Sequence, residues 1–309
     1  MEDHFSSIRF LLISALIVMV GVIVASMVGM GIQEESKGMA KPTFLFLWLF
    51  TSTGKLFSFV QFIGFFGPLI GIFLGFDSIN RERISRTLSK LVSQPIYRDS
   101  IINAKFLSGV MVIAIVLVAI VLIISGLGIR LIGVVPGSEE VWRLAIYLIT
   151  SILYISFWLG ISILFSVIFR STATSALASL AIWIFFSFFV SLGASVLADA
   201  MAPVRESGTG VALEIVEKHE KIMRITSYVS PMNLYNDATS TILNPMRKAT
   251  QLTFVGPMEQ LSMSRFQNPL PLMQSIFVVI PHLISIVAIT LVCFGFCYYI
   301  FIRQEIRTV

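Results

Sequence analysis

Residues 56 to 76 read LFSFVQFIGFFGPLIGIFLGF, twenty-one positions without an Asp, Glu, Lys or Arg. A helix needs roughly 20 apolar residues to cross the hydrocarbon core of a bilayer, so this stretch predicts a spanning helix. An unbroken apolar run is wrong for a barrel strand, whose faces alternate. Working outward, the same reading applies to 10–30, 106–129, 144–169, 175–198 and 275–302, all free of charge. Over the whole chain 56% of residues are hydrophobic and 13% are charged. An ordinary soluble domain carries about 25% charged residues, which excludes a soluble fold. The expected class is an all-α integral membrane protein of six transmembrane helices, one domain over 1–309, with a helical insertion at 199–274. Residues 10–30 are longer than a signal-peptide core and read as a retained first span.

Lys and Arg in short loops set the orientation of such a chain. Six spans put both termini on one side. With the termini cytoplasmic, that side holds Arg9, Arg170, Arg303, Arg307 and a basic island between Arg81 and Lys105. The short loops opposite hold Lys37, Lys41, Lys55, Arg130 and Arg143. The island decides the balance, so the expectation is a multi-pass cell-membrane protein with both termini cytoplasmic. The net charge of +5 is then a topology signal and gives no reason to expect a nucleic-acid partner.

The island has a helical pattern. Ile84, Thr87, Leu88, Leu91 and Val92 share one face, and Arg83, Ser85, Arg86, Ser89 and Lys90 take the other. Pro95 lacks an amide donor and disfavours a helical Gln94, so this helix is expected to stop near Ser93. Asp99 is expected to cap the next helix, which continues past Lys105 into the third span. Pattern and charge leave two readings open: an anchor to anionic membrane lipid, or a docking element for a partner.

The insertion has its own signals. In VALEIVEKHEKIMRI, 211–225, apolar residues recur at helical spacing and three Glu-to-basic pairs lie four apart. In SPMNLYNDATSTILNP, 230–245, Ser230 and Pro231 begin a helix and Asn244–Pro245 ends it. Both elements read as a cap over the outer mouth. Phe44 to Phe50, FLFLWLF, is too short to span and reads as lying at the outer interface. Gly67, Gly71 and Gly75 form a small-residue stripe for close helix packing, within one subunit or between two.

The stretch from Phe76 to Leu107 resembles the segment after the second span of ABC-2-type transporter permeases. The matching positions are Glu82, Thr87, Leu88, Leu91, Val92, Gln94, Pro95, Arg98 and Lys105. Arg86 stands where the family usually has glycine, and Ile84 where it commonly has a charge. Residues 230–245 resemble the stretch before the last span in one branch of that family. The resemblance implies that the island is a coupling helix docking on a separate ATP-binding subunit. Glu82, Arg83, Arg86, Thr87, Leu88, Leu91, Val92, Gln94, Pro95 and Arg98 would then form the contact. It further implies an exporter with two ATP-binding subunits, which carry ATP and Mg, and a second permease subunit, identical or a paralogue.

Other chemistry has little to stand on in this sequence. No G-x-x-x-x-G-K-[ST] loop occurs, so the ATPase is expected on another chain, and no cofactor is expected on this one. The spans lack the charges an ion-driven transporter usually carries. His4, His219 and His282 are scattered and Cys293 and Cys297 sit inside a span, so no metal site is expected. Polar groups within the spans, such as Gln61, Ser151, Ser156, Ser162, Ser166, Ser187 and Ser191, suit an amphipathic or apolar cargo. The competing readings are a non-transporting scaffold or immunity module that recruits a cytoplasmic partner, and a channel or secondary transporter.

Overall fold

The computed structural model describes residues 44–51, 58–85, 87, 98–133, 135–202, 228–245 and 270–303, with scattered positions between 15 and 30 and between 218 and 226. A 3-10 turn, Leu45–Leu47, leads into α1, Trp48–Thr51. Helix α2, Phe59–Gly75, starts at a capping box: Gln61 N donates to Ser58 Oγ and Ser58 N donates to Gln61 Oε1. This reciprocal pair satisfies two amides that a helix start leaves without partners. The short α3, Asn80–Ile84, follows. Helix α4, Arg98–Ile132, ends at Gly133, whose φ of 69° lies in the left-handed region that glycine enters without steric cost. Then come α5, Ser138–Ile168, and α6, Thr172–Ile184, joined through a π turn at Phe185–Phe189 to α7, Val190–Met201. Helix α8, Pro231–Leu243, and α9, Leu272–Arg303, complete the described chain.

Among the described residues, five stretches are long and apolar enough to span a membrane: Phe59–Ile84, Ser100–Leu131, Ser138–Ile168, Thr172–Met201 and Leu272–Arg303. The expected first span, 10–30, lies mostly outside the described residues. Its described positions are helical, and a Cβ on Gly21 would stand 3.3–3.5 Å from Phe59, Ile124 and Ile120. Helix α4 begins at Arg98, which puts Asp99 inside the first turn and corrects its expected place as the cap. Helix α5 begins six residues before the expected Leu144 and so takes Glu139, Glu140 and Arg143 out of the loop.

Helix α5 is the centre of the bundle. Tyr154, Ile155, Trp158, Leu159 and Ile163 are all buried on it, against α2, α4, α8 and α9. The glycine stripe of α2 faces it directly. A Cβ on Gly71 would stand 2.6 Å from the Ile155 carbonyl oxygen, and one on Gly75 would stand 2.9 Å from the Leu159 carbonyl oxygen. The two backbones therefore touch, and small residues are what permit that approach.

The aromatic segment packs against the N-terminal end of α5: Phe46, Leu47, Leu49 and Phe50 are fully buried, with Phe50 against Phe59 and Tyr147. One element sits differently from expectation. Helix α8 is not a lid. Its first residues lie beside Phe186, halfway along the α6–α7 span, where Ser230 Oγ donates to the Phe186 carbonyl at 3.0 Å. Midway, Tyr235 stacks on Tyr154 at 4.5 Å between ring centroids. Its last turn reaches Arg143 at the end of α5. Thirteen residues rise about 20 Å, so α8 is a half-span wedge inside the bundle. The bend that starts it is tolerable at that depth because Ser230 and Pro231 are buried in protein. The helix expected over 211–225 lies largely outside the described residues; its described positions from Lys218 to Ile225 are helical.

Candidate functional site

The basic island enters from α2 through Asp77, Ser78 and Ile79, and three sets of side chains fix this stem. Ser166 Oγ on α5 accepts hydrogen bonds from the amides of Ile79, at 3.0 Å, and Asn80, at 3.2 Å. These are the first amides of α3, and a hydroxyl supplies the acceptor that a helix start needs. Arg83 reaches back to the same end of α5. Its Nη2 donates to the Val167 carbonyl at 2.9 Å, and its Nη1 to the Phe169 carbonyl at 3.3 Å. Those carbonyls close α5, so the guanidinium also meets the negative end of the helix dipole.

The third set joins the island's two ends. Glu82 Oε1 lies 2.9 Å from Lys105 Nζ, and the other carboxylate oxygen accepts from the Thr87 hydroxyl. Ser85 Oγ packs against Thr87 Oγ1 at 2.8 Å and donates to the Arg81 carbonyl at 2.8 Å. Glu82 and Lys105, 23 positions apart, thus form a clasp across the mouth of the loop. Helix α3 ends at Ile84, which is 69% exposed.

Of the residues expected to meet a partner, Glu82, Arg83 and Thr87 are described, and all three bond within the chain. The backbone of Arg98 opens α4. Arg86, Leu88, Leu91, Val92, Gln94 and Pro95 lie outside the described residues.

Three of the polar groups expected in the spans, Ser151, Ser162 and Ser166, join helices. Ser162 Oγ donates to the Ile72 carbonyl at 2.9 Å and lies 3.4 Å from Ser179 Oγ. Ser151 Oγ donates to the Tyr147 carbonyl and touches the Tyr235 hydroxyl at 3.1 Å. Gln61 is taken by its capping box. Ser156 is buried on α5 and Ser187 is half-buried in the π turn, and neither hydroxyl has a protein partner. His282 is buried with Nδ1 3.2 Å from the Val278 carbonyl, and its ring lies across Tyr228. His219 Nδ1 is 3.0 Å from the Ala202 carbonyl. No group of three metal-ligating side chains occurs among the described residues.

At the far end of the bundle lies a hub that the sequence reading passed over. Arg143 is fully buried on α5. Its Nη1 donates to the Ile242 carbonyl at 2.8 Å and to Ser275 Oγ at 3.2 Å. Its Nη2 donates to the Leu270 carbonyl at 2.7 Å and to Glu139 at 2.8 Å. Its guanidinium carbon stands 5.5 Å from the centroid of the Phe44 ring. Glu140, one turn earlier, accepts from the amides of Phe46 and Gly137 at the positive end of α5. The available sequence signal was the Glu139–Arg143 spacing of four. Placing the pair in a loop concealed it.

A stem tied to three spans, a half-span wedge before the last helix and a bundle of apolar helices describe a multi-pass membrane protein in which the stem of the basic loop is bonded to its neighbours. A family model described as ABC-2 family transporter protein matches residues 1–306. No curated protein matches the chain. The match runs over essentially the whole length, and the chain belongs to the ABC-2 family of transporter proteins as a membrane permease of an ABC transporter.

Proposed function

We propose that this permease exports its cargo with energy from ATP hydrolysed on two copies of a separate cytoplasmic subunit, and that residues 81–98 are where that subunit docks. The termini and the island lie on the cytoplasmic side, and the permease works as a dimer with itself or a paralogue. ATP and Mg belong to the partner. The observation that carries this reading is the anchoring of α3. A loop that receives mechanical work must be stiff relative to the spans it moves. Ser166, Arg83 and the Glu82–Lys105 clasp fix its stem to α5 and α4. Closure of two nucleotide-binding subunits is a rigid-body motion of the kind such a loop can follow.

Within the island, Glu82, Arg83 and Thr87 set the loop's shape, while Arg86, Leu88, Leu91, Val92, Gln94, Pro95 and Arg98 meet the partner. The test is co-purification of an ATPase with the full chain from its native membrane. Leu88→Asp with Leu91→Asp abolishes that association while leaving the permease folded in detergent. Retention of the ATPase by this folded variant overturns the docking assignment. ATP-independent ion flux or cargo movement by the chain alone in vesicles overturns the transporter reading.

A further inference from the structure

The spans that run directly into the basic loop are α2 and α4, and by connectivity they are the receivers of any motion there. The side chains that hold the stem assign a larger share to α5, which is remote in sequence. Ser166 stands 87 positions from Ile79 and accepts two amides at once. Two donors on one oxygen use both of its lone pairs, which fixes the stem's direction as well as its distance. Arg83 adds two carbonyls of the same helix terminus. By contrast, α4 is tied to the stem through the Glu82–Lys105 pair, whose side chains are 22% and 29% exposed and so partly screened by solvent.

Helix α5 is unbroken for 31 residues, about 46 Å. Between Ile155 and Ile163 the backbone of α2 lies directly against that of α5, at Gly71 and Gly75. At its far end Arg143 grips the last turn of the half-span α8 and the start of α9. A helix is stiff along its axis, and the bonds at both ends of this one are largely withdrawn from water.

We propose that α5 is the member that carries displacement of the basic loop across the membrane to α8, and that Ser166 is the positioning residue through which it is driven. This rests on the coupling reading above and adds which span transmits the motion. The output is movement of the α8 wedge with α5, relative to α4.

The test uses the permease assembled with its ATPase in nanodiscs, with Cys293 and Cys297 changed to alanine. Spin labels are placed at Arg130→Cys and Trp142→Cys, two exposed sites near the far ends of α4 and α5. ATP with vanadate shifts the label distance in this parent by on the order of 2 Å, the scale of a helix shift between packed neighbours. Ser166→Ala keeps the ATPase bound and loses at least half of the shift, and Ser166→Thr, which retains the hydroxyl, keeps it. If Ser166→Ala does not assemble, Arg83→Gln removes the other contact to α5 and is read in the same way. An undiminished shift in the alanine variant overturns the inference, as does a parent that binds ATPase and shows no shift. A parent that binds no ATPase overturns the coupling reading itself, and the inference falls with it.

Discussion

Arg143 Nη1 on α5 donates a 2.8 Å hydrogen bond to the carbonyl of Ile242, the penultimate residue of α8, which lies 99 positions further along the chain. The same guanidinium holds Leu270 and Ser275, so one buried side chain fixes the exit of the half-span helix and the start of the last span. Its planar fork suits this work. Five donors in fixed directions reach several carbonyls at once, which a lysine ammonium on a flexible stem does not.

Arg143→Ala leaves the Ile242 and Leu270 carbonyls without this donor in a dry site. The expected loss is about 3 kcal/mol, from two orphaned acceptors at ~1–2 kcal/mol each. Glu139 is 40% exposed and adds little, since water solvates it. Thermal unfolding in detergent measures the loss. Arg143→Lys recovers less than half of it, and full recovery by lysine contradicts the fork geometry.

Two glycine substitutions of the same chemistry have opposite outcomes. Gly71→Ala puts a methyl 2.6 Å from the Ile155 carbonyl oxygen and 2.8 Å from the Leu159 amide nitrogen, so α2 and α5 must separate. Gly126→Ala on α4 meets nothing within 4 Å and gains helix propensity, up to about 1 kcal/mol. Melting temperatures of the two variants should fall and hold or rise, respectively. Equal behaviour removes the backbone contact from the account.

The stacked pair Tyr154 and Tyr235 separates a hydrogen bond from a packing effect. Tyr154→Phe removes a 2.8 Å bond to the Gly64 carbonyl and keeps the ring, at a cost of about 1 kcal/mol. Tyr235→Ala removes a fully buried ring from α8 and costs about 3 kcal/mol or more. Denaturation in a fixed detergent ranks them, and a larger loss for the phenylalanine variant contradicts this placement of α8.

Across the loop mouth, Glu82 and Lys105 should show a coupling energy no greater than about 1 kcal/mol in a double-mutant cycle with Glu82→Gln and Lys105→Met, because both side chains are partly hydrated. Added salt should reduce it. A coupling unchanged by salt contradicts a partly hydrated pair.

Much of this fold is written locally. An uncharged run near twenty residues announces a span wherever it packs, which is why the second through sixth spans were legible. The ends of α8 were legible too, with Pro231 at its first position and Asn244 just past its last, although the Ser230 hydroxyl bonds to Phe186 and not to its own helix. The glycine stripe was readable as a close contact, although its partner was not. Only the tertiary structure identified α5 as that partner, turned α8 from a cap into a wedge and buried the aromatic segment. It also made Ser162 and Ser166 joints between helices and Arg143 a hub. The physical reason is distance along the chain. A hydroxyl or guanidinium looks the same in sequence whether it faces cargo, water or a carbonyl 99 residues away, and only the fold selects its partner.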